Sequence, residues 1–290
     1  MNSRTPKRLL IFGASGMLGN AVLRLFAQDT SWHVTGTTRS ASQHLKFPDD
    51  IRRQLLNGVD VENFDSLSAA FASAKPDVVI NCVGVVKQLA EANDPLAAIP
   101  INSLLPHRLA RLCAVAGARL VHLSTDCVFD GTKGNYTEND RPDAYDLYGR
   151  SKLLGEVDYE NAVTLRTSII GRELGSAHSL IDWFLAQDGQ VRGFTKAIFS
   201  GLPTVELARV IKDYVLPRPH LRGLYHVSAE PTSKYDLLQL VAQAFGKTVE
   251  IVPDAKVTID RSLDSSRFRH ETGYQPPSWP ELVARLRDFG

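Results

Sequence analysis

Leu9-Leu10-Ile11-Phe12-Gly13-Ala14-Ser15-Gly16-Met17-Leu18-Gly19 decides how the whole chain is read. Four apolar residues form a short run of the kind that makes a buried strand. Glycines then fall at i, i+3 and i+6. Beyond them, Met17, Leu18, Val22, Leu25 and Phe26 recur at helical spacing. The three glycines answer three physical needs. One permits the tight turn, one lets backbone approach a pyrophosphate, and one lets the helix pack close to the strand. The helix start adds free N–H groups and the positive end of its dipole. A strand before and a helix after are the context this motif requires. Gly13, Ser15, Gly16, Met17, Leu18 and Gly19 are therefore expected to hold the phosphates of a dinucleotide.

The rhythm continues outward from this turn. Residues 8–12, 33–37, 78–82 and 119–124 read as strands rich in Val, Ile and Leu, without strict polar alternation. Strands covered on both faces look like this. Helical patterns lie between them at 17–28, 64–74 and 106–116, the last ending at Gly117, a plausible C-cap. Repeated strand–helix units argue an α/β fold, a Rossmann-type doubly wound parallel sheet with right-handed crossovers. A further strand is expected at 162–169. The pattern loosens over 171–203, then gives a helix at 204–215 and a strand at 223–227. From Pro231 the tail reads as two helical patterns around a proline-containing stretch. The expected division is a nucleotide-binding domain at 1–170, with 204–229 returning to it. A smaller, partly interleaved substrate region, 171–203 and 230–290, is expected to cover the carboxyl ends of the strands.

Composition bounds the function. The chain has 290 residues, a formal charge of +1, 43% hydrophobic residues and 22% charged ones, which excludes disorder as its general state. The balanced charge gives no footprint for nucleic acid or an anionic membrane surface, so neither is an expected partner. The apolar run after Lys7-Arg8 stops at Gly13, short of the ~7–15 residues of a signal peptide. No run approaches the ~20 residues of a membrane span. Three widely spaced cysteines, Cys82, Cys113 and Cys127, suit a reducing compartment, and a cytoplasmic location is expected. His33, His44, His107 and His122 lack metal-ligand spacing, so no metal is expected. A homodimer is the expected assembly.

The second strand ends in Thr37-Thr38-Arg39-Ser40. About 20 residues past the last glycine, NAD-preferring sites carry an acid that binds the ribose 2′-hydroxyl. Arg39 stands there instead, and a guanidinium suits a 2′-phosphate. NADP(H) is thus expected over NAD(H). Asp60 and Val61 are expected to border the adenine, and Cys82, Val83 and Gly84 to let the cofactor pass close to backbone.

Tyr148-Gly149-Arg150-Ser151-Lys152 places a phenol and an amine at i and i+4, on one helix face. Upstream, Leu123-Ser124-Thr125-Asp126 ends an apolar strand, on the edge where open α/β sheets bind ligands. A ketone that accepts hydride becomes an alkoxide and needs a proton. Tyr148 can give it, but a phenol with pKa about 10 is poorly matched to neutral pH. A nearby ammonium favours phenolate and corrects the mismatch. Lys152 can do this while hydrogen-bonding the nicotinamide ribose, and Thr125 can offer its hydroxyl to the developing oxyanion.

These residues carry a resemblance. Gly13-x-x-Gly16-x-x-Gly19 with Tyr148-x-x-x-Lys152 resembles the extended short-chain dehydrogenase/reductase superfamily. Ser124-Thr125-Asp126-Cys127-Val128-Phe129-Asp130-Gly131-Thr132-Lys133-Gly134, with Tyr148 to Leu153 and Gly155-Glu156, is similar to the dTDP-4-dehydrorhamnose reductase family. Arg166-Thr167-Ser168, Gly201-Leu202-Pro203-Thr204 and Gly223-Leu224-Tyr225-His226 extend the likeness, which weakens beyond 230. The resemblance implies NADPH-dependent reduction of the C4 keto group of a nucleotide-diphosphate 4-keto-6-deoxy sugar, in deoxysugar and cell-surface polysaccharide biosynthesis. It implies that Thr125, Tyr148 and Lys152 are catalytic and that Asp126 shapes the sugar pocket. Two departures stand out. Cys127 occupies a position where the family shows Tyr, and Val85-Val86-Lys87-Gln88 differs from the usual wording. Related dehydratases carry Asp-Glu after the Thr; Asp126-Cys127 lacks the Glu, which argues against elimination. Lys87 and Arg261, with Arg172 and Lys196, are candidate partners for a diphosphate. His178 and Trp183 are candidates for sugar or base. The alternatives are a nucleotide-sugar epimerase of the same superfamily and a non-catalytic, NADP-binding regulatory subunit, as a relative serves in methionine adenosyltransferase assemblies.

Overall fold

Residues 5–87, 90–174 and 179–290 are described in a computed structural model of the chain. The elements run β1 (Lys7–Phe12), α1 (Met17–Ala27), β2 (Trp32–Thr38), α2 (Ala41–His44), α3 (Asp49–Arg52), β3 (Leu55–Asn57), α4 (Phe64–Ala74), β4 (Val78–Asn81), α5 (Pro95–Ala98), α6 (Leu105–Ala116), β5 (Arg119–Thr125), α7 (Leu147–Leu154) and β6 (Ala162–Thr167). After these come β7 (Ile169–Ile170), α8 (Leu180–Leu185), β8 (Gln190–Phe199), β9 (Leu202–Pro203), α9 (Thr204–Val210), β10 (Gly223–His226), β11 (Thr232–Ser233), α10 (Lys234–Phe245), β12 (Glu250–Asp260), α11 (Ser266–Thr272) and α12 (Trp279–Phe289).

A seven-stranded sheet has the order β10-β6-β5-β4-β1-β2-β3. β1 pairs in parallel with both β2 and β4. The chain therefore leaves β1 toward one edge and returns to its other side, which makes the gap between β1 and β4 the topological switch point. This is the Rossmann-type α/β sheet expected from the strand–helix rhythm.

By its contacts the chain falls into two compact units. The first comprises the described residues up to Ser124, with Asp146–Leu165 and Pro219–Leu224. Its core sets Leu10, Phe12, Val79 and Leu120 of the sheet against Leu67 and Phe71 of α4 and Leu105, Leu109 and Cys113 of α6. Gly117 ends α6 at φ +68°, as its C-cap position suggested. Ahead of α6, residues Ile99–Leu104 wind as a π-helix.

The second unit comprises Thr125–Tyr145, Arg166–Arg218 and Tyr225–Gly290. Its sheet has the order β11-β8-β12, with β12 parallel and β11 antiparallel to β8. Arg166 donates to His226 Nε2 at 2.9 Å and lies over the Phe129 ring, which stacks on Tyr136 at 4.0 Å. Buried Glu206 accepts from Tyr274 and from Arg285, joining α9 to the C-terminal helices. The two long strands of this sheet differ from the sequence reading. β12 lies in the tail read as two helical patterns, and β8 lies in the loosened stretch. Pro253 and the charged residues of β12, and Arg192, Gly193 and Lys196 in β8, blur the period-two signal that marks a strand. Residues 204–218, placed with the nucleotide-binding domain on sequence, group with the second unit. No helix among the described residues is long and apolar enough to cross a membrane.

Candidate active site

The chain leaves β1 at Gly13, whose φ of +82° favours a residue without Cβ. A Cβ there would also stand 3.0 Å from Val83 Cγ2. The N–H groups of Gly13 and Ala14 donate to Thr37 Oγ1 and Thr37 O, and that of Gly16 to Gly13 O at 3.0 Å. Gly19 is needed where the helix meets the turn, because a Cβ would fall 2.0 Å from Gly13 O. Gly16 is different. A Cβ there meets Gly13 O alone, at an ordinary 3.4 Å, so the protein itself does not demand glycine. Its bare backbone leaves the turn open to a ligand. Gly16 is also the N-cap of α1 and supplies no side-chain acceptor, whereas Asn63, Asp146, Ser179 and Ser233 cap α4, α7, α8 and α10. The N–H groups of the first turn, which no intrahelical carbonyl reaches, have no side-chain cap among the described residues, and the turn itself carries no acidic residue. An open turn with uncapped donors fits the pyrophosphate of a dinucleotide.

The loop after β4 lies against this turn. Asn81 accepts the Val83 N–H at 3.1 Å, and its amide nitrogen meets His122 Nδ1 at 3.2 Å. Asn102, in the π-helical stretch, accepts the Val85 N–H at 2.9 Å. It donates to Val85 O and to Ser151 Oγ, both at 3.1 Å. One buried amide thus ties the loop to α7. Sequence reasoning missed Asn102. The available signal was a lone amide in a largely apolar helical run. The thiol of Cys82 is pushed up to about 12 by burial and stays protonated.

α7 carries the phenol and the amine. Asp146 caps it by accepting the Gly149 N–H, and accepts Lys87 Nζ on its other oxygen, each at 2.7 Å. Tyr148 is half-buried, and Lys152 is buried one turn later. Lys152 Nζ donates to Leu123 O on β5 at 2.7 Å. Burial pulls its pKa down to about 8, opposed by the charge of Glu156. Glu156 in turn accepts the Ser124 hydroxyl at 2.6 Å.

Thr125 ends β5. Its hydroxyl oxygen accepts the Cys127 N–H at 3.1 Å and donates to Asp126 Oδ1 at 3.2 Å. Asp126 is buried, which raises its pKa. The Arg261 charge and hydrogen bonds from Cys127, Thr125 and Ser168 act the other way. Arg261 donates through Nε to Phe129 O at 2.7 Å and through Nη2 to Asp130 O at 3.3 Å, with Nη1 3.9 Å from Cys127 Sγ. Asp126, Cys127 and Arg261 are therefore brought together, and Arg261 directs much of its donor fork to the loop beside Asp126.

The remaining expected residues are less engaged. Arg39 is exposed after β2, its backbone N–H donating to Gln43. Asp60 accepts the Glu62 N–H, and Val61 packs partly into the core. Gly84 is exposed. Trp183, in α8, is partly exposed. His178 lies outside the described residues.

The RmlD substrate binding domain family matches residues 7–288. The chain belongs to this RmlD-like family of extended short-chain dehydrogenase/reductases. Methionine adenosyltransferase 2 subunit beta of Mus musculus is 30% identical over 96% of this chain and 89% of its own. dTDP-4-dehydrorhamnose reductase of Aggregatibacter actinomycetemcomitans is 26% identical over 97% and 99%. The crystal structure of dTDP-4-dehydrorhamnose reductase from Bacillus anthracis in complex with NADP superposes with a TM-score of 0.78 at 20% identity, covering 99% of each chain. The relatives of this chain thus include both a reductase and a subunit of another enzyme.

Proposed function

We propose that the protein is an NADPH-dependent reductase of the C4 keto group of a nucleotide-diphosphate 4-keto-6-deoxy sugar. Membership of an oxidoreductase family supports this, as does the intact set of Thr125, Tyr148 and Lys152. The observation that carries it is Lys152, a buried amine anchored on Leu123 O one helical turn from Tyr148. The reduced nicotinamide supplies the hydride. Tyr148 gives its phenolic proton to the new alkoxide oxygen. Lys152, as ammonium, favours the phenolate left behind and holds the ribose. Thr125 turns its hydroxyl from Asp126 to the oxyanion. Met17, Leu18 and Gly19 offer their N–H groups to the pyrophosphate, and exposed Arg39 meets the 2′-phosphate. Asp126, Cys127 and Arg261 receive the sugar nucleotide. Tyr148→Phe is expected to lower NADPH oxidation with dTDP-4-dehydrorhamnose roughly 10²–10⁴-fold with the fold intact. Unchanged turnover overturns the assignment.

A second reading, a regulatory subunit, is favoured by the 30% identity to methionine adenosyltransferase 2 subunit beta. Its mark would be a stable complex with a methionine adenosyltransferase catalytic subunit, together with no turnover of keto sugars by the purified chain.

A further inference from the structure

His122 lies on β5 in register with Asn81 on β4, and its side chain is fully buried. Its hydrogen bonds identify the tautomer. The Val83 N–H can only donate, so the Asn81 atom facing it is the oxygen. The Asn81 nitrogen therefore faces His122, and since an amide nitrogen only donates, Nδ1 is the acceptor. Burial, with the Lys152 charge nearby, holds the imidazole neutral. Its proton must then sit on Nε2, which has no hydrogen-bond partner among the described residues. An unpaired buried donor is unfavourable. A Phe or Leu on this core strand would carry no such cost, so what the imidazole contributes is its Nδ1 acceptor.

That acceptor acts at a distance. It orients the Asn81 amide, the amide holds the Val83 N–H, and Val83 lies against Gly13, where an added Cβ would meet Val83 N at 3.1 Å. Two side-chain amides hold backbone N–H groups of the loop after β4: Asn102 serves Val85, and Asn81, oriented by His122, serves Val83. We infer that His122 is a positioning residue for dinucleotide binding, setting through Asn81 the backbone that supports the Gly13 turn. This rests on the proposal that the turn binds a nicotinamide dinucleotide.

The test measures NADPH and NADH dissociation constants and melting temperatures for the wild type and three variants. His122→Phe and His122→Gln lose the acceptor at Nδ1 and should bind roughly tenfold more weakly, the factor expected from one lost buried hydrogen bond. His122→Asn keeps an acceptor near that place and should bind within about twofold of wild type, on the same scale. A role in stability alone would lower melting temperatures in all three and leave the dissociation constants unchanged, which overturns the inference. Equal loss in the Asn and Phe variants also overturns it. Nitrogen NMR of the wild type gives a check independent of variant folding. It should show protonated Nε2 and bare Nδ1, and the opposite tautomer refutes the argument. A wild type that binds neither dinucleotide defeats the parent reading instead.

Discussion

At Lys152, burial and the proposed role pull in opposite directions. Desolvation lowers its pKa to about 8, yet favouring a phenolate requires the ammonium. The cation is present below that pH and lost above it. Reductase activity should therefore fall as pH rises through about 8, and a pH profile of kcat/KM flat to 9.5 would count against the role. The glycines separate steric need from ligand access. Gly16→Ala makes only an ordinary contact at 3.4 Å and should fold like wild type while binding dinucleotide more weakly. Gly19→Ala places a Cβ 2.0 Å from Gly13 O and should cost several degrees of melting temperature. Calorimetry and cofactor titration distinguish the two. The glycine spacing was legible in sequence because the chemistry constrains it locally. Asn102 was not, because its partners, Val85 and Ser151, are distant in the chain and meet only in the fold.

At the level of elements, the loop after β4 depends on a helix that departs from α geometry. The π-helical stretch Ile99–Leu104 carries Asn102, whose side chain satisfies both backbone groups of Val85. Asn102→Leu leaves a buried N–H and a buried C=O without that partner. It should destabilise the protein by about 3 kcal/mol in denaturant unfolding, since each such group costs about 1–3 kcal/mol. A loss under about 0.5 kcal/mol, the range of an ordinary surface change, would mean the loop is held by other contacts. β1, α1, β2, α4, β4, α6 and β5 were legible because each repeats one buried pattern. β8 and β12 were not, because their pairing joins residues some sixty positions apart, as in Glu250 with Gln190.

Across the whole molecule, two buried histidines couple stability to acidity. His226 accepts from Arg166, must donate through Nδ1 to Tyr136 O, and is lowered to about 3, chiefly by burial; His122 is also held well below the usual value. Folded chains leave both neutral where unfolded chains protonate them. Stability should thus be full above about pH 6.5 and fall below it, by about 1.4 kcal/mol per pH unit for each histidine. Equilibrium unfolding at pH 7, 6 and 5 reads this directly, and an unchanged free energy excludes it. The sequence by itself determined the α/β sheet, the glycine turn and the Tyr–Lys helix, because periodicity, glycine geometry and i,i+4 spacing act over a few residues. Only the tertiary structure decided which amides hold the loop beside Gly13, where Arg261 directs its donors, and that a long strand runs through the tail. Those outcomes depend on groups far apart in the chain, whose burial and hydrogen-bond partners exist only once the sheets have formed.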